Sequence, residues 1–314
     1  MPSQDDIRAA AARIGPHIRR TPLLRLPGPG GRSLVLKLEL LQVTGSFKPR
    51  GAFNRLLASK VPAAGVVAAS GGNHGIAVAH AASTLGMPAE IFVPEIAAAA
   101  KRERIAATGV RLVVGGANYE EARQASEARA AETGALLVHA YDQAEVLAGQ
   151  GTIGLELQAE APDLTHLMVA VGGGGLLGGI VASYAGRIGI VAVEPEECPT
   201  LFAATMTGEP VTVQPGGIAA DSLGASRIGN LCLDAVSTYP VTGALVQDEA
   251  IRFAQHWLWD NCRIVAEPGG ACALAALLTG AWQAPEGATI GALVCGGNCD
   301  PATGPWTSPA AVGA

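Results

Sequence analysis

The sequence predicts an α/β fold, and three observations carry that reading. Short apolar runs rich in β-branched residues recur along the chain, alanine-rich stretches of helical length separate them, and no low-complexity tail, charge block or internal repeat breaks the alternation. The first element is a helix. Ser3-x-x-Asp6 forms a capping-box pattern ahead of Ile7, Ala10, Ala11 and Ile14, which share one helical face. The strands follow as LVLKLEL (34–40), GVVAAS (65–70), AEIFVP (89–94), VRLVV (110–114), ALLVHA (135–140), HLMVAV (166–171), GIVAVE (189–194) and ATIGALV (288–294). Each reads as a buried parallel strand, because its run is nearly all apolar and the segments between are long enough for crossover helices.

A chain of 314 residues suits one large or two closely packed domains with a sizeable core. A net charge of −6 and a pI near 5.5 give no basic surface to draw nucleic acid or anionic lipid, so a small-molecule ligand is expected. The six cysteines include no C-x-x-C pair and read as free thiols of a cytoplasmic protein. The N-terminus lacks an apolar signal core, so secretion is not expected. Residues 167–186 carry no charge, but seven of them are glycine, which suits a strand, a ligand loop and a buried helix better than a membrane span. The last strand run ends at Val294, and no appended regulatory domain is expected after it.

Four motifs fall where loops leave strand ends, the usual ligand position in open α/β sheets. In TGSFKPRGA (44–52), Ser46 is expected to cap a helix whose first turn holds Lys48. Lys48 taken alone reads as a surface lysine. Its glycine, small and aromatic neighbours instead point to a cavity, where a desolvated amine becomes a nucleophile for a Schiff base. In SGGNHG (70–75) the N–H groups of a helix start offer a seat for a carboxylate or phosphate, while Asn73 and His74 could equally serve as helix caps. The run Gly172–Gly175 lets N–H groups approach a phosphate, although Glu194 about twenty residues on mimics a dinucleotide fingerprint. A nicotinamide site has no use for Lys48 or for the Asn73 loop. Cys295, in CGGN (295–298), reads either as a buried structural thiol or as a neutral partner for a ring nitrogen, which favours elimination over transamination.

Together with TPLL (21–24), LKLELLQVTGSFKPRGA (36–52), AGQGTIGLEL (148–157), VGGGGLLGGI (171–180) and VEPE (193–196), these motifs occur in the order seen in the threonine/serine dehydratase and serine racemase family, which the chain resembles from about residue 6 to residue 300. The resemblance implies a fold type II, tryptophan synthase β-like enzyme of two open, mostly parallel sheets flanked by helices. It divides the chain into a large domain of 1–52 and 143–314, which binds pyridoxal 5′-phosphate (PLP), and a small mobile domain of 53–142. Lys48 then resembles the Schiff-base lysine and catalytic base, and Phe47 the residue packed on the pyridine ring. Asn73 would bond the phenolic oxygen, Gly172, Gly173, Gly174 and Gly175 would hold the phosphate, Glu267 would lie near the cofactor, and Cys295 would meet the ring nitrogen. Ser70, Gly71, Gly72, Asn73, His74 and Ser222 would line the substrate site.

The activity implied is loss of water and then ammonia from a β-hydroxy-α-amino acid such as L-threonine or L-serine, giving a 2-keto acid, in a homodimer or larger homo-oligomer. Three departures qualify it. Gly71 stands where racemases of the family carry a serine, leaving no side chain to act as the second acid/base. Thr200 stands where metal-dependent members place an acidic residue, which removes one hard ligand from a divalent cation site of Glu194 and the Cys198 carbonyl. Ser222 replaces a common glycine, so a bulkier substrate such as phenylserine stays open. Serine racemisation, and a non-catalytic nucleotide- or amino-acid-binding module, are the rival readings.

Overall fold

A computed structural model describes residues 1–307, so the end of the large domain expected to reach residue 314 lies outside the described residues. The opening helix spans Gln4–Ile14, with the reciprocal capping box of Ser3 and Asp6 in place and Ile7, Ala10 and Ile14 buried. Ten strands follow among the described residues: β1 Leu23–Pro27, β2 Ser33–Lys37, β3 Val66–Ala69, β4 Ala89–Val93, β5 Arg111–Val114, β6 Leu136–Leu137, β7 His166–Ala170, β8 Gly189–Pro195, β9 Thr242–Val246 and β10 Thr289–Leu293. They form a six-stranded sheet in the order β1-β2-β10-β7-β8-β9 and a four-stranded sheet in the order β5-β4-β3-β6.

Every pairing among these strands is parallel except β1 with β2. The chain leaves β7 toward β8 on one side, and β10 returns to the other side of β7. That reversal of strand order opens a crevice at the carboxyl ends of β7 and β10, where ligands of such sheets sit.

Several sequence expectations are corrected. β1 and β9 lie at the two edges of the large sheet and were not among the expected strands. LVLKLEL does not run straight through: β2 stops at Lys37, and Glu39–Leu41 forms a 3₁₀ turn. VRLVV is a half-exposed edge strand rather than a buried one, and ALLVHA contributes only two paired residues. Ser46 is not a helix cap. The helix Pro49–Ala58 starts from Lys48 itself, while Ser46 sits in an antiparallel bridge to Gly296 with its hydroxyl buried and without a partner.

The Lys48 helix is anchored by close packing and by charge. A Cβ on Gly149, in the helix Ala144–Glu160, would lie 2.3 Å from the Arg50 carbonyl, so only glycine lets the two helices approach this closely. Arg50 is fully buried and donates to both Glu39 oxygens at 2.8 Å, to Glu156 at 2.7 Å and to Thr152 at 3.0 Å. Such a network holds the helix start in one place, since without Arg50 the buried Glu39 would have no cation beside it.

Candidate active site

Two adjoining cavities open at the crevice. Phe47, Lys48, Asn73, Gly172–Gly175, Ser222, Glu267 and Cys295 line the inner one, together with Tyr141 and Leu223. The outer one, about 500 Å³, is lined by Ser70–His74, Pro94, Ile96–Ala98, Tyr119, Ala140, Tyr141 and Ala220–Ala225. Lys48, Asn73 and Ser222 belong to both. Thus the structure gathers from distant strand ends most of the residues singled out in the sequence. Glu194 and Cys198 stand apart.

Lys48 is half-buried, and its Nζ donates to the Ala140 carbonyl at 3.0 Å and lies 5.1 Å from the Phe47 ring centroid. Burial pushes the ammonium down to about 8, opposed in part by Cys295 and Glu267. In the same cavity lining, the Cys295 thiol donates to the Gly269 carbonyl at 3.3 Å, and burial raises it to about 12, with Glu267 adding to the rise. The thiol therefore stays neutral near pH 7.

β7 delivers the glycine loop and the helix Gly175–Tyr184 behind it. Gly174 has φ +86°, a conformation that suits glycine, and a Cβ on Gly173 would fall 2.2 Å from the Tyr141 ring. Among the described residues the N–H groups of Gly172, Gly173 and Gly174 donate no hydrogen bond within the protein. An anion would satisfy them at the positive end of the helix. One Glu267 oxygen accepts from Asn73 Nδ2 at 2.6 Å, while the other is buried with no partner. Burial raises this carboxyl to about 7. A neutral thiol, a low-pKa amine, a loop of open N–H groups and an unpaired buried carboxyl oxygen together fit a phosphorylated pyridine aldehyde such as PLP.

At the outer cavity, the Ser70 hydroxyl accepts from the Gly72 N–H at 3.1 Å, and the helix Asn73–Thr84 starts at Gly72. His74 is buried, its Nε2 pairs with the Val138 carbonyl at 3.1 Å, and burial pushes its pKa down to about 3, so the ring is neutral. Asn73 and His74 lie in the first turn of this helix rather than capping it by side-chain hydrogen bonds. A Cβ on Gly71 would lie 2.5 Å from the Ala97 Cβ, so the place of an added side chain is already filled. Ser222 Oγ donates to the Ala219 carbonyl at 3.3 Å and accepts from the Gly269 N–H at 3.1 Å, tying its loop to the helix Pro268–Leu278.

Glu194 lies outside both cavity linings. Its carboxylate accepts from the N–H groups of Leu201 (2.7 Å) and Phe202 (2.8 Å) and from the Thr200 hydroxyl (3.2 Å), at the start of the helix Thr200–Thr207. Thr200 also donates to the Gly172 carbonyl at 2.5 Å, and the Cys198 carbonyl accepts from the Thr200 N–H at 3.0 Å. These groups buttress the glycine loop from behind. No group of three or more His, Cys, Asp or Glu among the described residues could hold a metal ion.

Two contributors were missed in the sequence. Tyr141 forms part of the wall of both cavities, and the Ala140 carbonyl receives the Lys48 amine. Both depend on contacts far apart in the chain and carry no local motif.

Residues 14–296 match the family model described as pyridoxal-phosphate dependent enzyme. The chain is 34% identical to the L-threonine ammonia-lyase of Thermotoga maritima, across 94% of this chain and 75% of that protein. Maize serine racemase superposes with a TM-score of 0.90 at 34% identity, covering 96% of this chain and 95% of that one. The T.th. threonine deaminase superposes with a TM-score of 0.88 at 36% identity, covering 95% of this chain and 99% of that one. No helix among the described residues is long and apolar enough to cross a membrane.

Proposed function

The chain belongs to the family of pyridoxal-phosphate dependent enzymes, and from that premise we propose that it is an ammonia-lyase acting on a β-hydroxy-α-amino acid such as L-threonine or L-serine. The observation that carries this is Lys48: an amine with a lowered pKa in the lining of both cavities, sharing the inner one with a thiol that stays neutral.

PLP, when bound, supplies an electron sink for the developing negative charge at the substrate Cα. In this reading Lys48 holds the cofactor covalently and Phe47 packs on its ring. The N–H groups of Gly172–Gly175 receive its phosphate, Asn73 its phenolic oxygen and the Cys295 thiol its ring nitrogen, with Glu267 alongside. A neutral thiol leaves that nitrogen unprotonated, which favours loss of a β-substituent over amino transfer. The substrate carboxylate sits at the start of the Asn73–Thr84 helix beside Ser70, Gly71, Gly72, His74 and Ser222. The Lys48 amine would take the substrate α-proton. The α-proton and the β-hydroxyl together would make up the water lost, and hydrolysis of the enamine that remains would give the 2-keto acid and ammonia.

Racemisation is the second reading, favoured by the likeness to maize serine racemase. Against it, Gly71 offers no side chain and Ala97 occupies the space. The apolar outer wall of Pro94, Ile96, Ala97 and Tyr119 supports bulkier β-substituents of the phenylserine kind as part of the same proposal. A cytoplasmic homodimer or larger assembly belongs to it too. The test is release of keto acid and of inverted amino acid over a panel of threo and erythro β-hydroxy amino acids. Keto acid is expected from at least one of them, and racemisation without any keto acid would reverse the order of the two readings.

A further inference from the structure

Four side chains form a directed series of hydrogen bonds ending at the inner cavity. Arg104 donates to Asn298 Oδ1 at 2.6 Å, Asn298 Nδ2 donates to Asn73 Oδ1 at 2.6 Å, and Asn73 Nδ2 donates to Glu267 Oε1 at 2.6 Å. A side-chain amide can turn over without changing its shape, so its direction is set by what it meets. Two neighbours decide it at Asn298. The Thr44 carbonyl can only accept and takes Nδ2 at 2.9 Å, while the Arg104 guanidinium can only donate and takes Oδ1.

Asn298 therefore presents an N–H to Asn73, which turns the Asn73 oxygen toward Asn298 and its nitrogen toward Glu267. The backbone is cleared for this series. A Cβ on Gly45, which has φ +79°, would lie 2.3 Å from Asn298 Oδ1, and one on Gly296 would lie 1.8 Å from Glu267 Oε1. Asn298 is not part of the cavity wall, so it acts through Asn73.

We propose that Asn298 is a positioning residue: by fixing the direction of the Asn73 amide it leaves one Asn73 N–H for the phenolic oxygen of PLP. The inference rests on the reading of Lys48 and Asn73 as cofactor-binding residues. Asn298→Asp tests it, because that variant keeps the shape and the pairing with Arg104 but faces both Asn73 and the Thr44 carbonyl with an acceptor, and of these two only the Asn73 amide can turn over to donate. Wild type, Asn298→Asp, Asn298→Ala and Asn73→Ala are each loaded with PLP, and the absorbance spectrum and the rate of cofactor release are recorded. Both Asn298 variants should keep a colour sensitive to borohydride, shift their absorbance maximum as Asn73→Ala does, and release the cofactor about tenfold faster, as expected for one lost hydrogen bond. A wild-type spectrum and release rate in Asn298→Asp, beside an altered Asn73→Ala, overturns the proposal. A colourless wild type overturns the cofactor reading instead. If Asn298→Ala does not fold, Asn298→Asp decides alone.

Discussion

At the scale of single residues, burial sets the protonation of the groups around Lys48. With its pKa pushed down to about 8, the lysine is mostly an ammonium below that value and a neutral nucleophile above it. The rate at which cofactor-free protein takes up PLP should therefore rise with pH through about 8 and level off beyond it. Stopped-flow absorbance checks this, and a rate already flat from about pH 6.5 upward would contradict the assignment. Gly71 makes a second residue-scale prediction. Because a new Cβ there meets the Ala97 Cβ at 2.5 Å, Gly71→Ser alone should leave racemisation unchanged. Adding Ala97→Gly should raise it, as read by chiral chromatography of recovered L-serine. Lys48, Asn73, the tetraglycine run and Cys295 were each singled out by a short motif, the last three just past a strand end and Lys48 at the start of the Pro49–Ala58 helix. Tyr141, Ala140 and the amide pairing of Asn73 with Asn298 were not, since those contacts join segments remote in the chain.

At the scale of elements, the placement of Lys48 depends on the helix that begins at Pro49, and that helix depends on Arg50. Replacing Arg50 by Ala leaves Glu39, fully buried, without its cation, so a loss of about 3–5 kcal/mol is expected in urea unfolding. A loss near zero would mean that the Arg50 network does not hold this helix start. Glu194 holds the start of the Thr200–Thr207 helix. Glu194→Ala should cost about 1–3 kcal/mol for its stranded N–H donors, whereas EDTA should leave the melting temperature unchanged. A drop in melting temperature with EDTA would return the carboxylate to a metal-binding role. Strand recognition failed at the edges for physical reasons. β1, LLRLP, interrupts its apolar run with an arginine and ends in proline, and β9, TGALV, begins with two exposed small residues. Neither needs the continuous apolar run that marks a strand covered on both faces.

At the scale of the whole molecule, the smaller sheet draws all four strands from residues 66–137, and the larger sheet takes the rest. The alternation of strands and helices made an α/β fold legible, but the split into two sheets depends on pairing, which the sequence carries only through the family resemblance. We propose that 53–142 moves as a unit against 1–52 and 143–314, closing the outer cavity between Ala97 and Asp221, where Lys101 and Asp221 already pair. Hydrogen exchange should then slow in 94–101 and 219–225 when substrate is added, and unchanged protection would count against closure. Borohydride reduction of the PLP-loaded protein followed by peptide mass analysis decides whether Lys48 carries PLP for lyase chemistry. The pyridoxyl mass is expected on the peptide containing Lys48 and is expected to be absent in Lys48→Ala. The mass on another lysine, or on no lysine at all, would contradict that role.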